Sequence, residues 1–192
     1  RKNLGSQKAI SIGLAYLKNL DEEMIITVLD SDGEDDVKKI PTMIENAEKN
    51  HDKVVVSTRA KRQENFIFKL AYLAHKILTV LLTFKWISFG NFSSFNSNQL
   101  EKILSNNSSW LAISSCVARN CNILRIEAER KKRLIGISKL SYIGLISHSL
   151  RVNAVFLARS LTTSFFYIII LIIFFELSSN YINFLMCVLI IF

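Results

Sequence analysis

Apolar positions recur along the chain at three different spacings, and each spacing predicts a different element. Over Ala9 to Leu20 the apolar residues Ala9, Ile10, Ile12, Leu14, Ala15 and Leu17 suit a helix with one broad buried face. Met24 to Leu29 (MIITVL) is instead a short unbroken run, rich in β-branched residues, of the kind that forms a buried strand of a parallel sheet. It stops at Asp30. After a polar turn through Gly33, Pro41 suits the first turn of a helix reaching about Asn50, because its missing N–H costs nothing there. Lys53 to Thr58 (KVVVST) reads as a second strand. Strand, helix and strand in that order predict a βαβ unit with parallel strands.

Beyond this unit, Phe66 to Phe84 is long and apolar, but Lys69, His75 and Lys76 interrupt it. The pattern predicts a helix packed on the domain or lying at a membrane surface rather than crossing. Gly90 to Asn98 (GNFSSFNSN) reads as a polar loop lining the site, followed by helices at about Asn98 to Leu104 and Trp110 to Cys121. Arg125 to Arg133 is rich in charge, and Tyr142 to Leu157 is amphipathic. Leu161 to Phe175 carries no charge, and with Ala154 to Ser160 it approaches the ~20 residues that span a bilayer core. Tyr181 to Phe192 is also uncharged but too short to cross alone, so it is expected to be half of a re-entrant hairpin or a segment cut short.

Length and charge set bounds on this picture. The 192 residues suit one domain with an appendage, and half of them are apolar. From Leu145 onward the only residues of the Lys, Arg, Asp and Glu types are Arg151, Arg159 and Glu176. The expected division is a catalytic domain over 1–140, an amphipathic juxtamembrane segment over 141–160 and a membrane anchor over 161–192. Cys116, Cys121 and Cys187 form no C-x-x-C pair, which suits reduced thiols facing the cytoplasm. His51, His75 and His148 are too scattered for a recognisable zinc spacing. The sequence begins at Arg1 without an export signal. The net charge of +8 is assigned to membrane and phosphate contacts, with no nucleic-acid partner expected and homo-oligomerisation left open.

Against that basic balance, DSDGEDD after the first predicted strand is conspicuous. Asp30, Asp32 and Glu34 alternate along an extended turn, so their carboxylates can converge on a hard cation, with Gly33 allowing the bend. The same residue types also make ordinary turns and stabilise a helix N-terminus, so spacing alone leaves both readings standing.

Three ordered segments resemble the family 2 glycosyltransferases of GT-A fold, in the branch acting on polyprenyl phosphates, which includes the dolichyl-phosphate mannosyltransferases and undecaprenyl-phosphate glycosyltransferases. Arg1, Asn3, Gly5 and Ala9 look like R-N-x-G-x-x-x-A, with Lys2 set between the first two; DSDGEDDVKKIPTMI is similar to D-A-D-L-Q-x-P-P-x-x-I-P-x-M-I; and RKKRLIGISK is similar to R-x-x-R-x-x-G-x-S-K. The resemblance implies an α/β fold with a Rossmann-like mixed sheet, here expected to lack its first strands, and one or more C-terminal transmembrane helices. It implies Asp30 and Asp32 as catalytic residues that hold Mg²⁺ or Mn²⁺, with Glu34 as a further metal ligand. It implies Arg59, Arg130, Arg133, Ser138 and Lys139 as contacts to donor or acceptor phosphate, a role suited to guanidinium groups because they pair bidentately with phosphate. Arg130 and Arg133 also suit a positive-inside membrane flank. The family's G-D-F-R appears here as Gly90, Asn91, Phe92 and Ser93, without its acid or its arginine.

The activity implied is an inverting transfer of one sugar from a nucleotide sugar to a polyprenyl-phosphate or related lipid, on the cytoplasmic side of a membrane. The rival readings are an inactive membrane-bound scaffold and a basic protein that binds anionic lipid.

Overall fold

A computed structural model describes residues 3–59, 66–105, 108–128 and 142–191. The chain divides into two compact units, Arg1–Phe156 and Leu157–Phe192.

The first unit is built on a four-stranded sheet in the order β1-β3-β2-β4. Its strands are β1 (Ile25–Val28), β2 (Lys53–Arg59), β3 (Phe89–Asn96) and β4 (Asn122–Ala128). In β2 the run Val54, Val55 and Val56 is fully buried. Successive side chains of a strand point to opposite faces, so Val54 and Val56 join one apolar cluster while Val55 joins another. On the Val55 face lies α2 (Ile40–Lys49), which contributes Met43 and Ala47. The opposite cluster takes residues from α1 (Ser6–Asn19), α4 (Leu100–Leu104), α5 (Ile113–Asn120) and the end of α6 (Tyr142–Ala154). Helices therefore cover both faces of a mixed sheet, as an α/β class requires. Pro41 stands in the first turn of α2, as its chemistry predicts.

One expectation is refined and one needs correction. β2 pairs in parallel with β4, not with β1; β3 lies between β1 and β2 and runs antiparallel to both. The strands of the βαβ unit thus share a direction without being neighbours. The inserted strand, Phe89–Asn96, takes up most of the stretch Gly90 to Asn98, which reads as a polar loop. From Phe92 to Asn96 it is wholly buried. Its polar residues are compatible with a central strand because they find partners. Ser94 Oγ lies 2.9 Å from Thr27 Oγ1 on β1, and Ser93 Oγ donates to the Asn91 carbonyl at 3.0 Å. Phe89 and Phe95 supply the apolar anchor on one face and Phe92 on the other.

Between β2 and β3, α3 (Phe66–Thr83) packs against α6. The second unit is α7 (Leu157–Ile191), a single helix of 35 residues. Its segment Leu157–Ser178 holds 22 residues, and at about 1.5 Å per residue this exceeds the ~30 Å of a hydrocarbon core. Ile168, Ile170 and Phe174 along it are exposed, a composition suited to lipid rather than water. The stretch from Tyr181, read as half of a re-entrant hairpin or a segment cut short, continues α7 as helix through Ile191.

Candidate functional site

The register of the sheet determines which residues meet at the carboxyl end of β1. Val28 and Val56 are both partners of Ser93 on the antiparallel β3 between them. Moving two residues on from Val28 reaches Asp30, and moving two back from Ser93 reaches Asn91, so the two arrive level with each other. Asn91 Nδ2 donates to Asp30 Oδ1 at 2.9 Å. The contact extends into a relay. Gln7 Nε2 of α1 donates to Asn91 Oδ1 at 3.0 Å, and the Ile113 N–H at the start of α5 donates to Gln7 Oε1 at 2.9 Å. Three elements, α5, α1 and β3, therefore fix the Asp30 carboxylate through the side chains of Gln7 and Asn91, each with both ends of its amide engaged.

The acidic turn is itself tightly organised. Asp32 Oδ1 accepts the Glu34 N–H at 3.1 Å, and Asp35 Oδ2 accepts the Asp30 N–H at 3.1 Å. Gly33 has φ of 75°, a left-handed conformation that favours glycine, which explains the residue's place in the middle of the turn. A short 3₁₀ turn at Val37–Lys39 then leads into α2. The carboxylates of Asp32 and Asp35 thus serve the turn, which is the second of the two readings that spacing left standing. Among the described residues, no group of three or more His, Cys, Asp or Glu side chains is placed to hold a metal ion. Asp30 and Asp32 nonetheless present hard oxygen donors, and a carboxylate oxygen accepts more than one bond, so the contacts orient these groups without exhausting them.

Arg59 is the last residue of β2, in register with Ala128, and follows the Thr58↔Phe89 pair of a bulged stretch. It therefore ends β2 at the carboxyl side of the sheet, the side on which Asp30 follows β1. Arg130, Arg133, Ser138 and Lys139 lie outside the described residues.

Sequence reasoning missed Gln7 and Asn91 as site residues. Gln7 carries no signal, being one polar residue on an amphipathic helix. Asn91 had one, since it stands where the resembling motif has its acid. If the relay fixes Asp30, Gln7→Leu, which strips the partners from the Ile113 N–H and Asn91 Oδ1, costs on the order of 1–3 kcal/mol. Chemical denaturation of the purified protein checks this.

A second polar cluster lies between α3 and α6. His75 and His148, remote in sequence, bring their ring centroids within 6.2 Å. His75 Nδ1 lies 2.6 Å from Ser149 Oγ. Burial, then the neighbouring His148 and Lys76, push His75 below the ordinary histidine range; burial, then Arg151, does the same to His148. A small pocket lined by Tyr72, His75, Thr79, Phe89 and His148 opens here, and it shares no residue with the acidic turn. Burial also raises both thiols described, with Cys121 pushed up to about 11, so neither is a ready nucleophile.

Comparison with known proteins adds one match. The model of the family described as Glycosyl transferase family 2 matches residues 1–125, the stretch that contains the acidic turn, Asn91 and all but the end of the sheet. No curated protein and no solved structure matches the chain.

Proposed function

The chain belongs to glycosyl transferase family 2, and from that premise we propose that it transfers one sugar from a nucleotide-sugar donor to a lipid-phosphate acceptor at a membrane. Its mixed sheet is GT-A-like, and its long apolar helix suits membrane association. The observation that carries the reading is the relay from Ile113 through Gln7 and Asn91 to Asp30, at a sheet end where open α/β folds bind ligands. A solvent-facing turn has no need of such an anchor; a carboxylate that must stay fixed while charge develops beside it does.

In the proposed reaction an oxygen of the acceptor phosphate forms a bond to the anomeric carbon while the bond from that carbon to the donor diphosphate breaks. The sugar inverts and a nucleoside diphosphate leaves. The acceptor is already anionic, so no strong general base is required. Asp30 and Asp32 are the groups suited to hold Mg²⁺ or Mn²⁺, with Glu34 nearby in the turn; such an ion takes much of its shell from phosphate and water. When bound, it supplies charge neutralisation for the leaving diphosphate. Arg59, Arg130, Arg133, Ser138 and Lys139 are assigned to the phosphates, and the catalytic domain to the cytoplasmic side.

The carboxylates closed on the turn favour a second reading, an inactive family member acting as a membrane scaffold. Full-length protein reconstituted with polyprenyl phosphate and Mn²⁺ separates the two. Release of nucleoside diphosphate from a common sugar donor supports the enzyme; no release from any donor supports the scaffold.

A further inference from the structure

The cleft between α3 and α6 carries polar side chains on both walls. His75 and Thr79 on α3 are four residues apart, as are Ser149 and Asn153 on α6, which places each pair on one helical face. Two rungs result. His75 Nδ1 lies 2.6 Å from Ser149 Oγ, and Asn153 Nδ2 donates to Thr79 Oγ1 at 3.4 Å. His148 stands beside the first rung, with its ring centroid 6.2 Å from that of His75. The pocket at this point has a volume of about 30 Å³, room for roughly two waters, and the core residues Phe89 and Val152 form part of its wall.

Charge makes this cleft sensitive to protons. The charged groups that neighbouring elements bring to the pair are positive: Lys76 on α3, Arg151 on α6, and Arg119 of α5, which donates to the Val155 carbonyl just past α6. Tyr72 adds a phenol, while Ser114, Ile87 and Phe89 are uncharged. Neither Phe66 to Trp86, nor Ile113 to Asn120, nor Tyr142 to Ser160 contains an Asp or Glu, so α3, α5 and α6 offer no carboxylate to an imidazolium. Burial, then His148 and Lys76, hold His75 below the ordinary histidine range; burial, then Arg151, hold His148 there. His148 keeps part of its ring in solvent, which screens it, so His75 is the member on which the pair turns. A group that binds its proton less well when packed favours packing above its ordinary value of 6.5 and opposes it as pH falls below that. Two imidazolium rings this close repel, so the second proton binds at least about tenfold less tightly than the first.

We propose that His75 and His148 form a proton-operated latch between α3 and α6, closed while both rings are neutral and released when both are charged. Release reaches the acidic turn through β3: Phe89 begins that strand, and Asn91, two residues on, donates to Asp30. The latch is independent of sugar transfer, since a scaffold would carry it equally.

The test uses the full chain in nanodiscs with isotope-labelled histidine, the three histidines being assigned by single His→Gln variants. The ring resonances of His75 and His148 are expected to titrate in two coupled steps. His148→Gln, a polar replacement at an exposed position, is expected to leave His75 a single step at higher pH. Between about pH 7.5 and about pH 5, amide exchange corrected for its intrinsic pH dependence is expected to quicken several-fold in α3, α6 and the start of β3, but not in the buried strand β2. His75→Gln with His148→Gln removes that response. Independent titration of the two rings overturns the proposal, as does a His75 step that His148→Gln leaves in place. Exchange that acid leaves unchanged, or that quickens equally in the doubly substituted chain, overturns it too, and helices that loosen without the start of β3 overturn the route to the acidic turn.

Discussion

Asp30→Asn is expected to abolish measurable sugar transfer while leaving the chain folded and membrane-bound. The substitution isolates charge from structure. The amide that replaces the Asp30 carboxylate keeps an oxygen that accepts from Asn91 Nδ2, so the relay to Gln7 and Ile113 survives. What disappears is the negative charge and its capacity to hold a divalent cation. Losing one preorganised electrostatic contact at a reacting centre typically costs about 10²–10³ in turnover. Asp32→Asn should follow the same direction, and because an amide oxygen still accepts the Glu34 N–H the turn is expected to survive. Turnover measured beside membrane retention checks both variants. Normal turnover in Asp30→Asn would remove the acidic turn from the mechanism.

Asn91→Asp is expected to give the largest change in stability. Asn91 is a donor to Asp30 and an acceptor from Gln7; a carboxylate at this position keeps only the second role. Two carboxylates in hydrogen-bond contact must share a proton or move apart, at a cost on the order of 2–4 kcal/mol near neutral pH. The sign of the pH dependence follows. The penalty exists where both groups are ionised, so it is full above the carboxylate range and fades as acid supplies the shared proton. Mn²⁺ should reduce the penalty at pH 7, because a cation between the carboxylates replaces repulsion with attraction. Thermal melts of wild type and variant at two pH values, with and without Mn²⁺, provide the comparison. A variant as stable as wild type at neutral pH contradicts the relay.

The parts of the fold legible in the sequence were those whose signal is local. The β-branched runs at Ile25 and Val54 gave strands, and Pro41 marked the start of a helix. β3 was illegible because its buried polar residues are satisfied by distant partners: Ser94 by Thr27, and Asn96 by His51 and Glu23. A strand with Ser and Asn in its interior reads as a loop until those partners are known. The same limit hid half of the site. Asp30 is a candidate by the spacing of DSDGEDD and a site residue by the family resemblance, whereas Gln7 lies 84 positions from the Asn91 it touches. The histidine pair was missed likewise, since His75 and His148 meet only when α3 and α6 pack together.

The central claim is that the acidic turn serves sugar transfer to a lipid phosphate, and the most direct measurement follows the sugar itself. Full-length protein in vesicles containing polyprenyl phosphate is given radiolabelled nucleotide sugars and Mn²⁺, and label is counted in the organic extract. The account predicts label entering the lipid fraction with wild type and none above background with Asp30→Asn. Label that stays in the aqueous phase with wild type for every donor tried, or enters lipid equally with Asp30→Asn, would contradict it.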